Sequence, residues 1–542
     1  MNTLLQHLVV LPIVVPLLCA AAMLFVPEAR RGVRVSMALA SGTAQLLIAI
    51  TLLYLTSDAA HFIWPEGVGV YAIGNWVAPF GIVLVVDRLS AVMLTLVATV
   101  SVTTLIYSIA RWDRPGQPFH SLFQLITMGL NGAFLTGDLF NLFVFFEVLL
   151  AASYGLVLRG AGAAQTRYGM HYIVVNLTAS FLFLIGVATI YGVAGTLNMA
   201  DLVGSAAALS GDHRALFDSG AAILGVAFLI KAASWPLNFW LPGAYSNAQA
   251  PVGSLFALMT KVGLYAILRV GTILQEDETL AAALFYLGLA TLFSATVAIL
   301  AAKHLARLVS FSVLVSMGIL LAAFGLRNES LTGPILFYMV VSVLTTSTFF
   351  MLTGMTDRTR ISDPPVTPED APVSGSPVYM SYGVRRPTVF QEDGEVGIAI
   401  PAAMAFLGLM FVFCALLLVG LPPMPGFIAK FALLAGAIGG TSGTAGWIFS
   451  AAVLMSGLAS LVALSRVGMR LFWSVAARQT PRLRVLEAAP VAILALLCLA
   501  VGVAADPVAR YLDATARSLH QPDTYVRAVL GAGSPEGQGD QP

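Results

Sequence analysis

The sequence predicts an all-α, polytopic membrane protein with about fourteen transmembrane helices. Of its 542 residues, 58% are hydrophobic and only 10% are charged, whereas soluble globular domains carry about 25% charged residues. Apolar segments of roughly 20 residues, the length of a helix that crosses a bilayer, recur along the whole chain. A soluble protein is therefore excluded. The 28 basic and 27 acidic residues form no basic cluster, which argues against a nucleic-acid partner.

The candidate spans follow from dividing the chain at its charges, prolines and glycines. They are 4–26, 33–55, 80–108, 119–136, 138–158, 168–194, 215–246, 251–273, 279–300, 304–326, 331–354, 398–440, 446–472 and 485–505. No Lys or Arg precedes the first span, so we expect a retained membrane helix there and not a cleaved signal peptide. Two stretches are predicted to be soluble, an acidic insert at 357–395 and a polar tail after Asp506.

Two spans, the seventh and the twelfth, are too long for a single crossing and contain prolines. The interruptions are expected at Pro236 and Pro242 in the seventh span, and at Pro422 and Pro425 in the twelfth. Proline removes a backbone hydrogen bond, which is costly in lipid unless the broken helix lines a protein cavity. A pair of broken helices in corresponding halves of a transporter is the usual sign of its transport site.

The separation of these two broken helices by five spans predicts two five-helix repeats of opposite orientation. The expected domains are three N-terminal helices, a first repeat, a second repeat that contains the insert, and a last helix with the tail. Their boundaries are 1–118, 119–273, 279–473 and 485–542.

Arginine is concentrated in alternate loops, those after spans 1, 3, 5, 9, 11 and 13. Examples are Arg30 and Arg31 after the first span, and Arg466 and Arg470 at the end of the thirteenth. Because cytoplasmic loops carry the excess of Lys and Arg, these loops are predicted to be cytoplasmic. Both termini should then lie on the outer face of the membrane.

Charged residues inside apolar spans are the strongest functional signal. Three of the four lysines, Lys231, Lys261 and Lys430, lie within spans, and Glu147 is roughly 13 Å from Asp138 and 18 Å from the other end of its helix. Such residues are costly in a membrane and usually mark ion pathways or proton relays. Burial disfavours the charged form of lysine, so a buried lysine can release its proton.

Lys231 is the expected partner of Glu147, and Lys430 should lie at a similar depth because the two broken helices run in opposite directions. The alternative interpretation is that these charges are ion pairs that serve only assembly. His171 and His304, near cytoplasmic ends, are candidates for passing protons between water and the buried row. Asp87 and Arg88 are expected to pair with each other at a helix end.

No metal or cofactor site is expected. The three cysteines lie in apolar runs without a second Cys or His at ligand spacing: Cys19, Cys414 and Cys498.

Several segments resemble one family of membrane proteins. Residues Phe228–Pro242 and Tyr245–Pro251 are similar to the seventh-helix motif of the antiporter-like subunits of respiratory complex I and of Mrp-type multisubunit cation/proton antiporters. The resemblance extends to Thr260–Gly263, Arg307–Ser312, Leu421–Lys430 and the helix around Glu147, and it covers roughly residues 80–475. It implies fourteen helices, two inverted repeats and a proton path along Glu147, Lys231, Lys261 and Lys430.

Within this family, Thr136–Glu147 and a lysine at position 430 resemble the D-subunit branch of the Mrp antiporters. Complex I relatives commonly carry histidines where Ser316 and Ser342 align, so a link between Lys261 and Lys430 is expected to run through water and hydroxyl groups here.

The resemblance implies a proton-translocating membrane subunit of a bacterial sodium/proton antiporter, located in the cell membrane with other membrane subunits as partners. It is expected to be a transporter subunit and not an enzyme by itself. One alternative is a proton-pumping subunit of complex I or of a membrane-bound hydrogenase. Others are a structural scaffold and a self-sufficient antiporter, although the latter lacks a second mid-span acid.

Overall fold

The computed structural model describes residues 2–27, 29–60, 63–64, 66–113, 118–159, 162–274, 278–357, 402–440, 443–473 and 483–531. Within these ranges, twelve helices are long and apolar enough to cross a membrane. Each of the fourteen predicted spans contains a helix, which confirms the polytopic helical fold. Apart from Asp357, the predicted soluble insert 357–395 lies outside the described residues.

The N-terminal part contains four helices and a small β-hairpin. The helices are α1 Asn2–His7, α2 Leu11–Leu24, α3 Arg31–Leu55 and α4 Arg88–Ile109, and the antiparallel strands are β1 Gly69–Ala72 and β2 Val83–Val86. The predicted start of the third span at residue 80 is wrong, because Val83–Val86 pairs as a strand. Asp87 then caps α4 by accepting a 2.9 Å hydrogen bond from the backbone N–H of Ser90.

The rest of the chain forms sixteen further helices in the described ranges. These are α5 Phe119–Leu135, α6 Leu139–Val157, α7 Ala163–Ala194, α8 Met199–Ala208, α9 Gly211–Lys231, α10 Trp240–Asn247, α11 Ala250–Leu274, α12 Glu278–Ala301, α13 Leu305–Gly325, α14 Thr332–Thr356, α15 Ala402–Val419, α16 Pro425–Gly439, α17 Gly443–Gly468, α18 Val485–Val503, α19 Ala505–His520 and α20 Asp523–Gly531.

Both of the spans predicted to be broken are broken. The seventh is divided between α9 and α10, and the twelfth between α15 and α16. Pro236 and Pro422 lie in the two breaks, and Pro425 is the first residue of α16. The predicted interruption at Pro242 is wrong: Pro242 is the third residue of α10, in the first turn, where a backbone N–H has no helical partner to lose.

Helices α11, α13 and α14 form the centre of the bundle, and they are buried along nearly their whole apolar length. Close packing around them depends on small residues, as is common between membrane helices. A Cβ at Gly325 of α13 would lie 2.3 Å from the backbone nitrogen of Phe285 in α12. The backbones of α12 and α13 therefore touch at this glycine.

Interhelix loops meet at two opposite ends of the bundle. At the first, which we call the arginine end, basic side chains contact neighbouring loops: Arg31 with Asp113, Arg111 with Glu487, Arg466 with the carbonyl of Ala302, and Arg484 with the carbonyl of Ala110. These contacts bring together the loops after spans 1, 3, 9 and 13, four of the six that were predicted to share one side.

The opposite end, which we call the hairpin end, contains β1 and β2. A buried ion pair lies there, in which Arg269 donates to both carboxylate oxygens of Asp87 at 2.7 Å. Arg88 instead pairs with Asp58. The predicted pairing of Asp87 with Arg88 is therefore wrong, since the two side chains diverge to partners on different segments.

The polar tail is also corrected by the structure. Its residues form α19 and α20, whose apolar faces pack against the bundle at the hairpin end. Leu512, Leu519, Tyr525 and Val529 are buried, and the hydroxyl of Tyr511 lies 2.9 Å from that of Thr56. The charged residues of these helices are spaced so that an apolar stripe remains, which overall composition conceals. The final residues, 532–542, lie outside the described part of the chain.

Candidate functional site

The four predicted charges lie on helices at or beside the two breaks and on the central helix α11. Lys231, Lys261 and Lys430 are almost fully buried, with 5%, 1% and 8% of their surface exposed, and Glu147 on α6 is partly buried. An ammonium group this deeply buried is retained only where polar atoms receive its protons. The partners that the structure provides differ at each lysine.

Glu147 and Lys231 are joined through a third residue, Ser180 of α7. The Ser180 hydroxyl donates to the Glu147 carboxylate, and the Lys231 ammonium donates to the Ser180 oxygen at 3.3 Å. The expected direct pair is thus replaced by a hydroxyl bridge. A hydroxyl can donate on one side while it accepts on the other, which suits it to this position.

Lys231 is the last residue of α9, at the point where the broken helix stops. The carbonyl end of a helix carries partial negative charge, which favours a cation there. The ammonium also lies 5.0 Å from the centre of the Phe146 ring. Beside it is a cavity of about 20 Å³, lined in part by Tyr172 and Asn176, which has room for about one water molecule.

Lys261, in the middle of α11, contacts α13. Its ammonium donates to the Ser316 hydroxyl at 2.6 Å and lies 3.1 Å from the Met317 sulfur. The structure therefore brings together a predicted lysine and Ser316, one of the two predicted accessory hydroxyls.

Lys430, in the second turn of α16, is held by backbone atoms of the broken helix. Its ammonium donates to the carbonyls of Leu418 and Val419, each at 2.9 Å. These are carbonyls of the last turn of α15, which lack partners within their own helix. Gly420 follows with a φ of +81°, and a Cβ there would lie 2.8 Å from the Lys430 side chain. The break thus supplies both the acceptors and the space.

A second small cavity lies between Lys261 and Lys430. It has a volume of about 20 Å³ and is lined by hydroxyl groups of α13 and α14 together with the end of α15, including Ser316, Tyr338, Ser342, Thr345 and Leu418. Ser316 contacts Lys261, and the Leu418 carbonyl contacts Lys430. One water molecule, for which there is room, would lie between the two lysines' partners.

The two predicted histidines are placed differently from the lysines. His171 and His304 are both exposed, the former on α7 and the latter just before α13. The side chain that faces the Lys231 cavity is instead the neighbouring Tyr172, whose hydroxyl lies 2.7 Å from that of Ser153.

Sequence reasoning missed Ser180 and the backbone acceptors of Lys430. Tyr172, Asn176 and Ser180 recur at intervals of four residues within one apolar span, which places them on one face of a helix. This periodicity was the available signal for Ser180. No side-chain pattern could indicate the carbonyls of residues 418 and 419.

Comparison with known proteins places these features in a family. Residues 136–363 match the family described as NADH:quinone oxidoreductase/Mrp antiporter, transmembrane. A Rhizobium meliloti protein, named as the D subunit of a probable K⁺/H⁺ antiporter, is 46% identical, with 97% of this chain and 98% of the relative covered. This chain belongs to the D-subunit family of Mrp-type antiporters. The D subunit of the Na⁺/H⁺ antiporter of Bacillus subtilis is 31% identical, with coverage of 97% and 99%.

The D-subunit family assignment agrees with the three-dimensional comparison. A chain in the structure of the Mrp complex from Dietzia sp. DQ12-45-1b is 26% identical, with a TM-score of 0.78 and coverage of 97% of this chain and all of that chain. The relatives therefore match this protein from end to end.

Proposed function

We propose that this chain is the proton-translocating membrane subunit of a bacterial multisubunit cation/proton antiporter, and that protons move along Glu147, Lys231, Lys261 and Lys430. The observation that carries the proposal is the row itself: three lysines, each almost fully buried, whose ammonium groups contact hydroxyls or helix-end carbonyls. Titratable groups in this setting are expected where protons are exchanged. The names of the relatives support the same function.

The proposed transfer begins at the Ser180 bridge. While Glu147 is ionised and bridged, it stabilises the charged form of Lys231. When a change in a neighbouring subunit separates them, the ammonium of Lys231 gives its proton, through cavity water, to the neutral amine of Lys261. Lys261 then passes a proton by way of Ser316 and the cavity at Ser342 to Lys430.

The remaining features of the proposal concern orientation and partners. The arginine end is assigned to the cytoplasm, so that the termini lie outside the bacterial cell membrane. Residues 119–273 and 279–473 are proposed as the two inverted repeats, with the breaks at Pro236, Pro422 and Pro425 as their hinges. His171 and His304 are retained only as groups at the cytoplasmic surface. Other membrane subunits are proposed to complete the antiporter.

The coupling cation is the finer part of the proposal. Sodium is the expectation from sequence, whereas the 46% identical relative is named for potassium and the 31% identical relative for sodium. Exchange is therefore to be measured with both ions. The assay uses everted vesicles from a host without its own antiporters, with the complete set of subunits expressed.

Lysine substitutions test the proton path, because the chain offers a matched control. Lys261→Ala and Lys430→Ala are expected to reduce exchange by at least about a hundredfold, the scale of a lost proton-transfer group. Lys303→Ala removes the one lysine outside the row, which is exposed, and should leave exchange unchanged. Copurification of the other subunits shows that the complex is assembled. Normal exchange in both buried-lysine variants, with the complex intact, would exclude this path.

A further inference from the structure

The largest polar cavity among those next to the central helices lies at the hairpin end, apart from the row of lysines. It has a volume of about 200 Å³, about ten times that of the cavity between Lys261 and Lys430. Its lining is mainly polar and includes Arg327, Asn328, Glu329, Thr332 and His520. This volume accommodates a cluster of water molecules. We call it the outer vestibule.

The outer vestibule and the cavity beside Lys430 lie in succession along α14. Thr332 and Ile335 line the vestibule, whereas Tyr338 and Ser342 line the inner cavity. Ile335 and Tyr338 are three residues apart, a rise of about 4.5 Å along a helix. Only one helical turn of buried side chains therefore separates the two spaces.

His520 is the side chain in the outer vestibule that is suited to proton exchange. It is the last residue of α19, and its Nε2 lies 2.9 Å from the Thr332 hydroxyl on α14. Histidine is the side chain that gains and loses a proton between about pH 5 and 8. The contact places an imidazole of a peripheral helix on the first turn of a helix that continues to the inner cavity.

The charged groups around His520 come from three elements. Arg327 and Glu329, in the connection between α13 and α14, line the same cavity. Asp513, two turns earlier on α19, lies against Gly333, where a Cβ would be 2.0 Å from its carboxylate oxygen. Arg517 is exposed on α19. One acid and one base therefore line the cavity itself, so water there is not dominated by either sign of charge.

We propose that the outer vestibule is the mouth of the proton path at the hairpin end, and that His520, positioned by Thr332, exchanges protons between the inner cavity and the outer solution. The proposal rests on the proposed function, since it requires protons to reach Lys430. When Tyr338 and Ile335 admit a water molecule, a proton leaves the inner cavity for the imidazole, and the imidazolium releases it to vestibule water. No other covalent bond changes.

The first test is exchange by the complete complex with His520→Gln, which keeps a hydrogen-bonding group but cannot titrate. We expect the rate to fall about tenfold, less than for a dry site because vestibule water takes over part of the transfer. The dependence of the rate on the pH of the solution at the hairpin end should also flatten between about pH 5 and 8. His213→Gln is the matched control, since His213 is exposed on the first turn of α9.

A merely structural role of His520 would lower assembly and leave the pH dependence of the remaining complex as it was. A wild-type rate and pH profile in His520→Gln would overturn the proposal. If Lys261→Ala exchanges normally as well, the proton path itself fails, which is a separate result from failure at His520 alone.

A second measurement applies even if the histidine variant does not assemble. Glu329→Cys and Ile335→Cys are each treated with a membrane-impermeant thiol reagent from the outer solution; the native cysteines are partly or fully buried. We expect rapid labelling at position 329 and none at position 335, because the barrier begins there. Absence of labelling at position 329 would show that the vestibule is closed to the outer solution, and would overturn the proposal.

Discussion

Replacement of Ser180 by alanine is the sharpest test of how Glu147 and Lys231 are coupled. The substitution removes one oxygen atom, the only link between the carboxylate and the ammonium in the bridge. A hydrogen bond to a charged group contributes about 1.5–3 kcal/mol, which corresponds to roughly ten- to hundredfold in an equilibrium constant. Since both bonds are lost together, we expect Ser180→Ala to reduce cation/proton exchange by at least about tenfold.

The assay is cation-driven proton efflux in everted vesicles that contain the complete complex. Thr178→Ala is the control, because Thr178 is exposed on the same helix and its hydroxyl bonds only to its own backbone, at the Val174 carbonyl. Ser180→Thr keeps the hydroxyl and should restore part of the rate. The reasoning is refuted if Ser180→Ala, with normal assembly, exchanges within about twofold of the unmodified complex.

Three further predictions concern stability, measured as thermal unfolding of the purified complex in detergent. Asp87→Asn should destabilise the protein by about 3–5 kcal/mol because it leaves Arg269 buried and unpaired, whereas Asp218→Asn, in an exposed pair, should cost less than about 1 kcal/mol; equal losses would contradict this. Gly325→Ala should lower the unfolding temperature or prevent assembly, because its Cβ would lie 2.3 Å from the backbone of α12, and normal stability would show that the helices can separate without cost. Burial raises the pKa of Asp113, but the hydrogen bonds from the neighbouring histidine and arginine outweigh it and hold this pKa below its usual value. Its stabilisation is therefore present above about pH 4 and lost as pH falls further, and Asp113→Asn should reduce that acid sensitivity.

The fold was largely predictable because lipid imposes a simple rule on sequence. A spanning segment must be apolar and must satisfy its backbone hydrogen bonds internally, so helix positions follow from hydropathy. The breaks near Pro236 and Pro422 followed from the same rule. Pro242 misled the prediction, because a proline is harmless in the first turn of a new helix, and the position of that turn is not visible in composition.

The tail after Asp506 failed for a related reason. Average polarity suggested solvent, whereas the spacing of Leu512 and Leu519 leaves one apolar face that docks on the hairpin end. An amphipathic helix is distinguished from a soluble tail by periodicity and by the presence of a complementary surface. Only the first of these is contained in the segment itself.

The sequence alone determined which residues carry the chemistry, since charge inside an apolar span is expensive and therefore conspicuous at Glu147, Lys231, Lys261 and Lys430. Only the tertiary structure decided what each charge touches: the Ser180 hydroxyl, the Ser316 hydroxyl, and the free carbonyls at the end of α15. The physical reason is that hydropathy acts locally along the chain. Hydrogen-bond partners are instead selected by the packing of helices that are far apart in sequence.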